Sequence, residues 1–183
     1  MELMDAIKGR RSIRKYKPDP VSDKDMETIL EAARWAPSWA NSQVVRWVVV
    51  RDREIKMKLA ETLSSTNPAN DAMRTVPVVL VLCAETGRAG IKKGEAVTDK
   101  GDWFMFDAAL AVQNLTLMAH ALGLGTVNIG YLDAKKAEQI LQMPAGARVV
   151  ELIPLGYPNE QPKGPGRKEL SELVYHEKYG QRF

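Results

Sequence analysis

Between Asp102 and Leu122 the chain reads DWFMFDAALAVQNLTLMAHAL. Phe106, Leu110, Val112, Leu115, Leu117, Met118 and Leu122 cover most of the circumference of a helix through this stretch. A surface helix keeps its apolar residues to one stripe, so a helix apolar nearly all round is either central in its own subunit or set at a subunit interface. Asp102 is placed to cap its start, and Gly123 to stop it. Any fold for this chain has to enclose that helix.

The elements around it mix strands with helices, which sets the class as α/β or α+β. Leu3, Met4 and Ile7 share one face of a short helix that stops at Gly9, and Pro18 and Pro20 then force an extended or turning path. Ser22 or Asp23 caps a second helix, on which Met26, Ile29, Leu30 and Ala33 form an amphipathic stripe. A Pro/Ser/Asn loop, Ala36 to Gln43, precedes a buried strand, Val44 to Val50. Ile55, Leu59 and Leu63 suggest a further helix, Ser64 to Asp71 a loop, and Val76 to Cys83 a central strand. Glu85 to Gly101 has three internal glycines and no apolar period, and is the best candidate for a mobile loop. Gly123 to Tyr131 holds a short strand between glycines, Asp133 starts a short helix, and ARVVELIPLGYP forms a last core strand. The final 25 or so residues are polar, with Leu170, Leu173, Val174 and Tyr175 as anchors; docking on a second subunit is one way to order such a tail.

Length and composition fit one globular domain: 183 residues, 45% apolar and 27% charged. The longest apolar run, Val76 to Ala84, is too short to span a bilayer and contains Pro77. The opening MELMDAIKGRR carries Glu2 and Asp5 and no apolar segment, so it does not read as a secretory signal. The sequence therefore predicts a soluble, cytoplasmic protein. A single cysteine, Cys83, excludes an internal disulfide framework, and two histidines, His120 and His176, leave little for a metal site. No metal ligand is assigned.

The net charge is only +3, yet the first 17 residues hold six Lys/Arg against two acids, which leaves the remainder slightly acidic. GRRSIRKYKPDP, Gly9 to Pro20, is where the charge collects. Arginine forks match the paired oxygens of a phosphate, and Ser12 adds a hydroxyl donor. A solvated basic turn and a nucleic-acid arm are the alternatives, the latter at odds with the acidic remainder. In PSWANSQ, the Asn41 and Gln43 amides could read the edge of a heteroaromatic ring, or simply cap a helix and turn. GLGTVNIG is not a dinucleotide fingerprint, because its glycines follow a helix and precede a strand. It is a helix stop, or a place where backbone approaches a flat ligand at Ile129–Gly130. PKGPGRK, Pro162 to Lys168, is a solvated linker or a second basic wall. No Ser–His–Asp order, Cys–His pair or H-x-x-x-H spacing is present, so no side chain is assigned a catalytic role.

Taken in order, RRSIRKY, APSWANSQ, HALGLGTVNIGY and GYPNEQPKGPGRK resemble the motifs of the nitroreductase family of FMN-dependent oxidoreductases, across nearly the whole chain. The resemblance implies an α+β sandwich with a mainly antiparallel central sheet flanked by helices, assembled as an intertwined homodimer. Residues 1–156 would be the FMN-binding core, and 157–183 an extension docked on the partner. Arg10, Ser12 and Arg14, with Arg11 beside them, would hold the FMN phosphate and ribityl chain. Arg167, with Lys163 or Lys168, would complete the phosphate site. Pro37, Ser38, Asn41 and Gln43 would come from the other subunit, toward the pyrimidine edge. Ile129 and Gly130 would turn backbone N–H groups toward N5 and O4. NAD(P)H would pass a hydride to N5, and a small electron-poor acceptor (nitroaromatic, quinone or enone) would take it up; no nucleic acid or membrane is involved. Val44-Val45 follow N-S-Q where the family often has Pro-Trp, and segment 85–101 is short for a substrate lid. These departures keep a second implication open: a flavin carrier, or a flavin-degrading or dehalogenating enzyme, of the same fold.

Overall fold

The structure is a computed structural model and describes residues 1–182. Its centre is a four-stranded antiparallel sheet built from β1 (Val45–Val50), β2 (Val78–Glu85), β5 (Gly125–Thr126) and β6 (Ala147–Gly156), in the order β1-β2-β6-β5. β2 is buried over seven of its eight residues because both faces of the sheet are covered. One face packs on α2 (Asp23–Arg34) and α5 (Phe104–Ala121), through Ile29, Leu80, Leu115 and Ile153. The other packs on α3 (Arg53–Ala60), α4 (Asn70–Thr75) and α6 (Ala134–Ile140), through Leu59, Met73, Val81 and Leu152. α1 (Leu3–Gly9) lies on α5. A short hairpin joins β3 (Ile91–Lys92) to β4 (Glu95–Ala96), and α7 (Leu170–Leu173) lies in the tail. The class expected from the sequence, α+β with an antiparallel sheet flanked by helices, is the one observed.

Local chemistry explains where elements start. Ser22 Oγ accepts from the amide of Asp25, and the Asp52 and Asp133 side chains accept from Ile55 and Lys136, so each helix start gains a partner for a free N–H. Asp102 acts one residue earlier than expected: its two oxygens accept from the amides of Phe104 and Gly87, and Trp103 holds the cap position. Gly123, at φ 78°, closes α5, with the amides of Gly123 and Leu124 returning to His120 and Ala119.

Three elements differ from the sequence reading. The central strand begins at Val78 rather than Val76, because Asn70–Thr75 is helical and the Val76 amide is spent on its last turn, bonding to Ala72. Buried Lys56 seals that junction, donating to the carbonyls of Val76 and Pro77 at 2.7 and 3.0 Å. Leu63 falls outside α3 and instead bridges Leu132. Segment 85–101 is a pinned hairpin rather than a loose loop: Trp103 donates from its backbone to Ala89 and from its indole to Thr98, and packs on the backbone of Gly90.

α5 is enclosed on one side only within this chain. Ala108, Ala111, Leu115 and Ala119 are buried, while Met105 and Phe106 stay more than half exposed. On α1 only Ala6 is buried; Leu3, Met4 and Ile7 face out. In the tail, Glu169 and Glu172 form a capping box for α7, yet Leu170 and Leu173 are exposed.

Gly125 is the tightest point of the sheet edge: a Cβ there would lie 2.7 Å from Ile13 Cγ1. Gly125→Ala therefore has to displace a buried side chain, and urea unfolding is expected to show a loss of about 1–3 kcal/mol. Unchanged stability would mean that the 10–16 segment does not pack as described.

Candidate functional site

The N-terminal basic segment is laid along the free edge of the sheet. Ser12 forms a parallel bridge with Thr126, the Ile13 amide bonds to the Thr126 carbonyl at 2.9 Å, and Tyr16 bridges Pro158. Ile13 and Tyr16 are buried, and the Tyr16 hydroxyl donates to the carbonyl of Ile13 at 2.6 Å. Those two anchors fix the residues between and before them. The chain after β6 is stitched to the same segment: the Lys17 amide bonds to Tyr157 and the Asn159 amide to Lys15, both at 2.9 Å, while Glu160 Oε1 accepts from the amides of Arg14 and Lys15. Glu160 thus uses its charge on backbone rather than on the arginine heads.

This stitching brings PKGPGRK over the arginines. A cleft of about 480 Å³ results, lined by Ser12 and six cationic side chains (Lys8, Arg10, Arg11, Arg14, Lys163 and Arg167), with no acidic residue in its lining. Gly164 lies against Arg11 so closely that a Cβ would be 2.6 Å from Nε. Arg11 Nη1 donates to the carbonyls of Lys8 and Arg10, which holds its plane. The Arg10 pKa is lowered by burial first, then by the like charges of Arg11 and Arg167. Arg14 Nε is buried without a hydrogen-bond partner among the described residues. Crowded guanidinium groups and an orphaned buried donor are unfavourable alone and are relieved together by a small dianion. The cleft fits a phosphate ester, and residues of this type at this edge fit the phosphate end of FMN.

The other expected site residues lie elsewhere. Pro37, Ser38 and Gln43 line a separate hollow of about 200 Å³ with Trp47 and Asp107. Their loop contains a 3-10 turn, Trp39–Asn41, and Ala40, Asn41 and Gln43 all have positive φ (43°, 55° and 48°). Asp107, only 1% exposed, grips it: its oxygens accept from the Trp39 amide at 2.9 Å and the Ser42 hydroxyl at 2.8 Å. Ser38 Oγ accepts from the Gln43 amide, and the side chains of Asn41 and Gln43 are left exposed. Within one chain this loop does not meet the arginine cleft.

Ile129 requires a correction. It is buried, its N–H is donated to the Leu152 carbonyl at 3.0 Å, and its carbonyl accepts from Leu152 at 3.1 Å. The sheet has taken the amide that was expected to point at a ligand; neighbouring Gly130 is exposed. Lys168 is exposed and lies outside the cleft lining, whereas Lys163 is in it. His120 packs on Gly9 beside Arg10 and Arg11, and burial followed by those two charges lowers its pKa. Cys83 is buried and pushed up to about 11, which leaves a poor nucleophile.

Asp107, Glu160 and Glu151 are the polar residues of this region that the sequence reading passed over. Asp107 interrupts an otherwise apolar helix and Glu151 an apolar strand, and such interruptions are the signal that could have found them. Glu160 has no local signal.

Sheet, flanking helices and basic edge cleft define an α+β sandwich of the cofactor-binding kind. Residues 7–157 match the nitroreductase family, and the chain belongs to it. It is 32% identical over 199 residues to an NADH dehydrogenase of Thermus thermophilus, covering 95% of each chain. It is 31% identical to an FMN reductase [NAD(P)H] of Bacillus subtilis, covering 97% of this chain and 74% of that one. A nitroreductase family protein of Clostridium novyi NT has the same fold, with a TM-score of 0.78 and 29% identity over 100% of this chain and 97% of the other. Among the described residues no helix is long and apolar enough to cross a membrane.

Proposed function

We propose that the protein is an FMN-dependent oxidoreductase, working as a homodimer, that moves a hydride from NAD(P)H to a small electron-poor acceptor such as a nitroaromatic, quinone or enone. The observation that carries this reading is the acid-free cleft of six cations with its unpartnered Arg14 Nε. Family membership and relatives named as NAD(P)H-linked flavin enzymes support the same class.

Arg10, Arg11, Arg14, Lys163 and Arg167 would hold the phosphate, with Ser12 donating from its hydroxyl. Arg10, Arg11, Ser12 and Arg14 are half-buried while Lys163 and Arg167 are exposed, so the groups at the sheet edge give up less water to the anion than the two cations of the later loop. FMN, when bound, supplies the hydride chemistry itself. The protein's part is to hold the phosphate end in the cationic cleft and to orient the ring against the 128–131 segment.

The dimer part of the reading rests on exposed apolar surface. Leu3, Met4 and Ile7 on α1, Met105 and Phe106 on α5, and Leu170 and Leu173 in the tail are large apolar side chains left exposed in the single chain. A partner would cover them and bring its own Pro37–Gln43 loop to the cleft, with residues 157–183 exchanged between subunits. A cytoplasmic setting suits a chain whose one cysteine is free and buried.

Purified protein is expected to be yellow and to release roughly one FMN per chain on denaturation, with the visible band bleached by NADH or NADPH and restored by a nitroaromatic. Colourless protein that takes up no added FMN would sink the proposal. Bound flavin that neither nucleotide bleaches would favour a flavin carrier or flavin-modifying enzyme instead.

A further inference from the structure

Glu151 sits in the middle of the longest strand, and the chemistry proposed for the site leaves it without a role. Its Oε1 is buried and has no hydrogen-bond partner among the described residues. A polar atom buried in this way costs the fold its hydration, so it marks either stored strain or a contact made with something other than this chain.

Register places the carboxyl. Ile129 and Leu152 exchange both backbone hydrogen bonds across an antiparallel bridge, and both side chains lie in the core on the α6 side of the sheet. Successive residues alternate faces and directly opposed residues share one. Glu151 and Gly130 are therefore opposed on the other face, the α5 side. Glu151 is also opposite Leu82, and Leu82 opposite Trp47, so Trp47, Leu82 and Glu151 form one row across three strands, and the Ile129 bridge continues it to Gly130. The row ends in a glycine, and a Cβ at Gly130 would meet no heavy atom within 4 Å. The row therefore opens into free space at the segment that would lie under the ring, one strand over from the acid.

Neighbouring charges do not account for the group. α5 carries only Asp107, which is committed to the 39–42 loop, and His120, which lies beside Arg10 and Arg11. On β2, Cys83 faces the α6 side and Glu85 pairs with Arg46 and Arg88. On α6, Glu138 is bonded to Arg148 and the Val149 amide, and Lys136 pairs with Glu61; Lys135 is exposed on the same opposite face. On β1 the row contributes Trp47, and on the 128–131 segment Tyr131 is exposed to solvent. Burial pushes the Glu151 carboxyl up to about 7, so near neutral pH much of it carries a proton that can be donated.

We propose that Glu151 is a further residue of the flavin site, its carboxylic acid donating an O–H hydrogen bond to the electron-rich ring edge held over Gly130. This rests on the reading of the protein as FMN-binding. Binding then favours the protonated acid, and affinity falls as pH rises through 7.

The test compares FMN dissociation from the purified full-length wild type, E151Q and E151L between pH 6 and 8.5, read by the fluorescence of released flavin on dilution. Gln keeps a donor that does not titrate, and the phosphate's own titration is common to all three. The wild-type dissociation constant should rise about tenfold more than that of E151Q over this range, the equivalent of one unit of pKa change on binding. E151L should bind weakly at every pH. Parallel profiles for wild type and E151Q would overturn the inference while leaving FMN binding intact; failure of the wild type to bind FMN would overturn the reading beneath it. Thermal unfolding of the same proteins checks the buried acid independently. The folded acid keeps its proton to about pH 7 and the unfolded one to about 4.5, so the wild type should lose stability relative to E151Q between those values and no further above them. A difference in melting temperature that does not change with pH would also count against it.

Discussion

Arg14→Gln is expected to weaken FMN binding about a hundredfold, whereas Lys17→Gln changes it by less than about threefold. Both residues lie in the same basic run, so charge alone does not separate them; burial does. Arg14 lines the cleft and its Nε is shut away from water without a partner, while Lys17 is exposed and outside the lining. A charge-assisted bond to a group the fold has already desolvated is worth about 1.5–3 kcal/mol, and the loss of a fork that spans two oxygens lies at the upper end. The flavin-free protein should respond in the opposite direction. Removing an orphaned donor and one of six crowded cations relieves the fold, so Arg14→Gln should melt at or slightly above the wild type without FMN and below it with FMN. This crossing of melting curves is the signature of a residue kept for its ligand rather than for the fold. Equal FMN retention by the two variants would remove Arg14 from the site.

What could be read in the sequence follows the range of the interactions involved. The helix at 102–122 was legible because its apolar residues lie within one helical period of each other. The N-terminal half of the cleft was legible because four cationic residues and a serine sit side by side. Elements that depend on a distant partner were not. Asn70–Thr75 is too short and too polar to announce a helix, and it shifted the central strand to Val78 by taking the Val76 amide. The 91–96 hairpin turns through Lys93 and Gly94, at φ 53° and 82°, and is pinned by Trp103 from outside the segment. Ile129 carries an ordinary strand sequence, and only the pairing with Leu152 reveals that its amide is already used. Glu160 acts on backbone 146 residues earlier in the chain, which no local pattern encodes.

Asp107 makes the strongest demand of this kind, and Asp107→Ala should lower the melting temperature by about 10 °C. The carboxyl is 1% exposed and binds the Trp39 amide and the Ser42 hydroxyl, from a loop 65 to 68 residues away. Deleting it leaves two half-buried donors without their acceptor and a hollow where a buried carboxyl stood, for a loss of about 3 kcal/mol, and a chain of this size moves roughly 2–4 °C per kcal/mol. Asp107→Asn keeps one acceptor oxygen for the amide and should lose about half as much. Loop strain provides a second handle. Ala40 is held at φ 43°, a left-handed conformation that costs a residue with a Cβ on the order of 1 kcal/mol and glycine almost nothing. Ala40→Gly should therefore stabilise the wild type, where Asp107 enforces that conformation. In the Asp107→Ala background the loop is free to relax, and the same change should gain little or turn unfavourable through added unfolded-state entropy. A double-mutant cycle by thermal unfolding measures the difference. Additive effects would mean that Asp107 contributes two hydrogen bonds and no more. A coupling would mean that one buried carboxyl on the central helix holds the loop in its strained shape, and with it the Asn41 and Gln43 side chains that the proposed dimer offers to its partner's site.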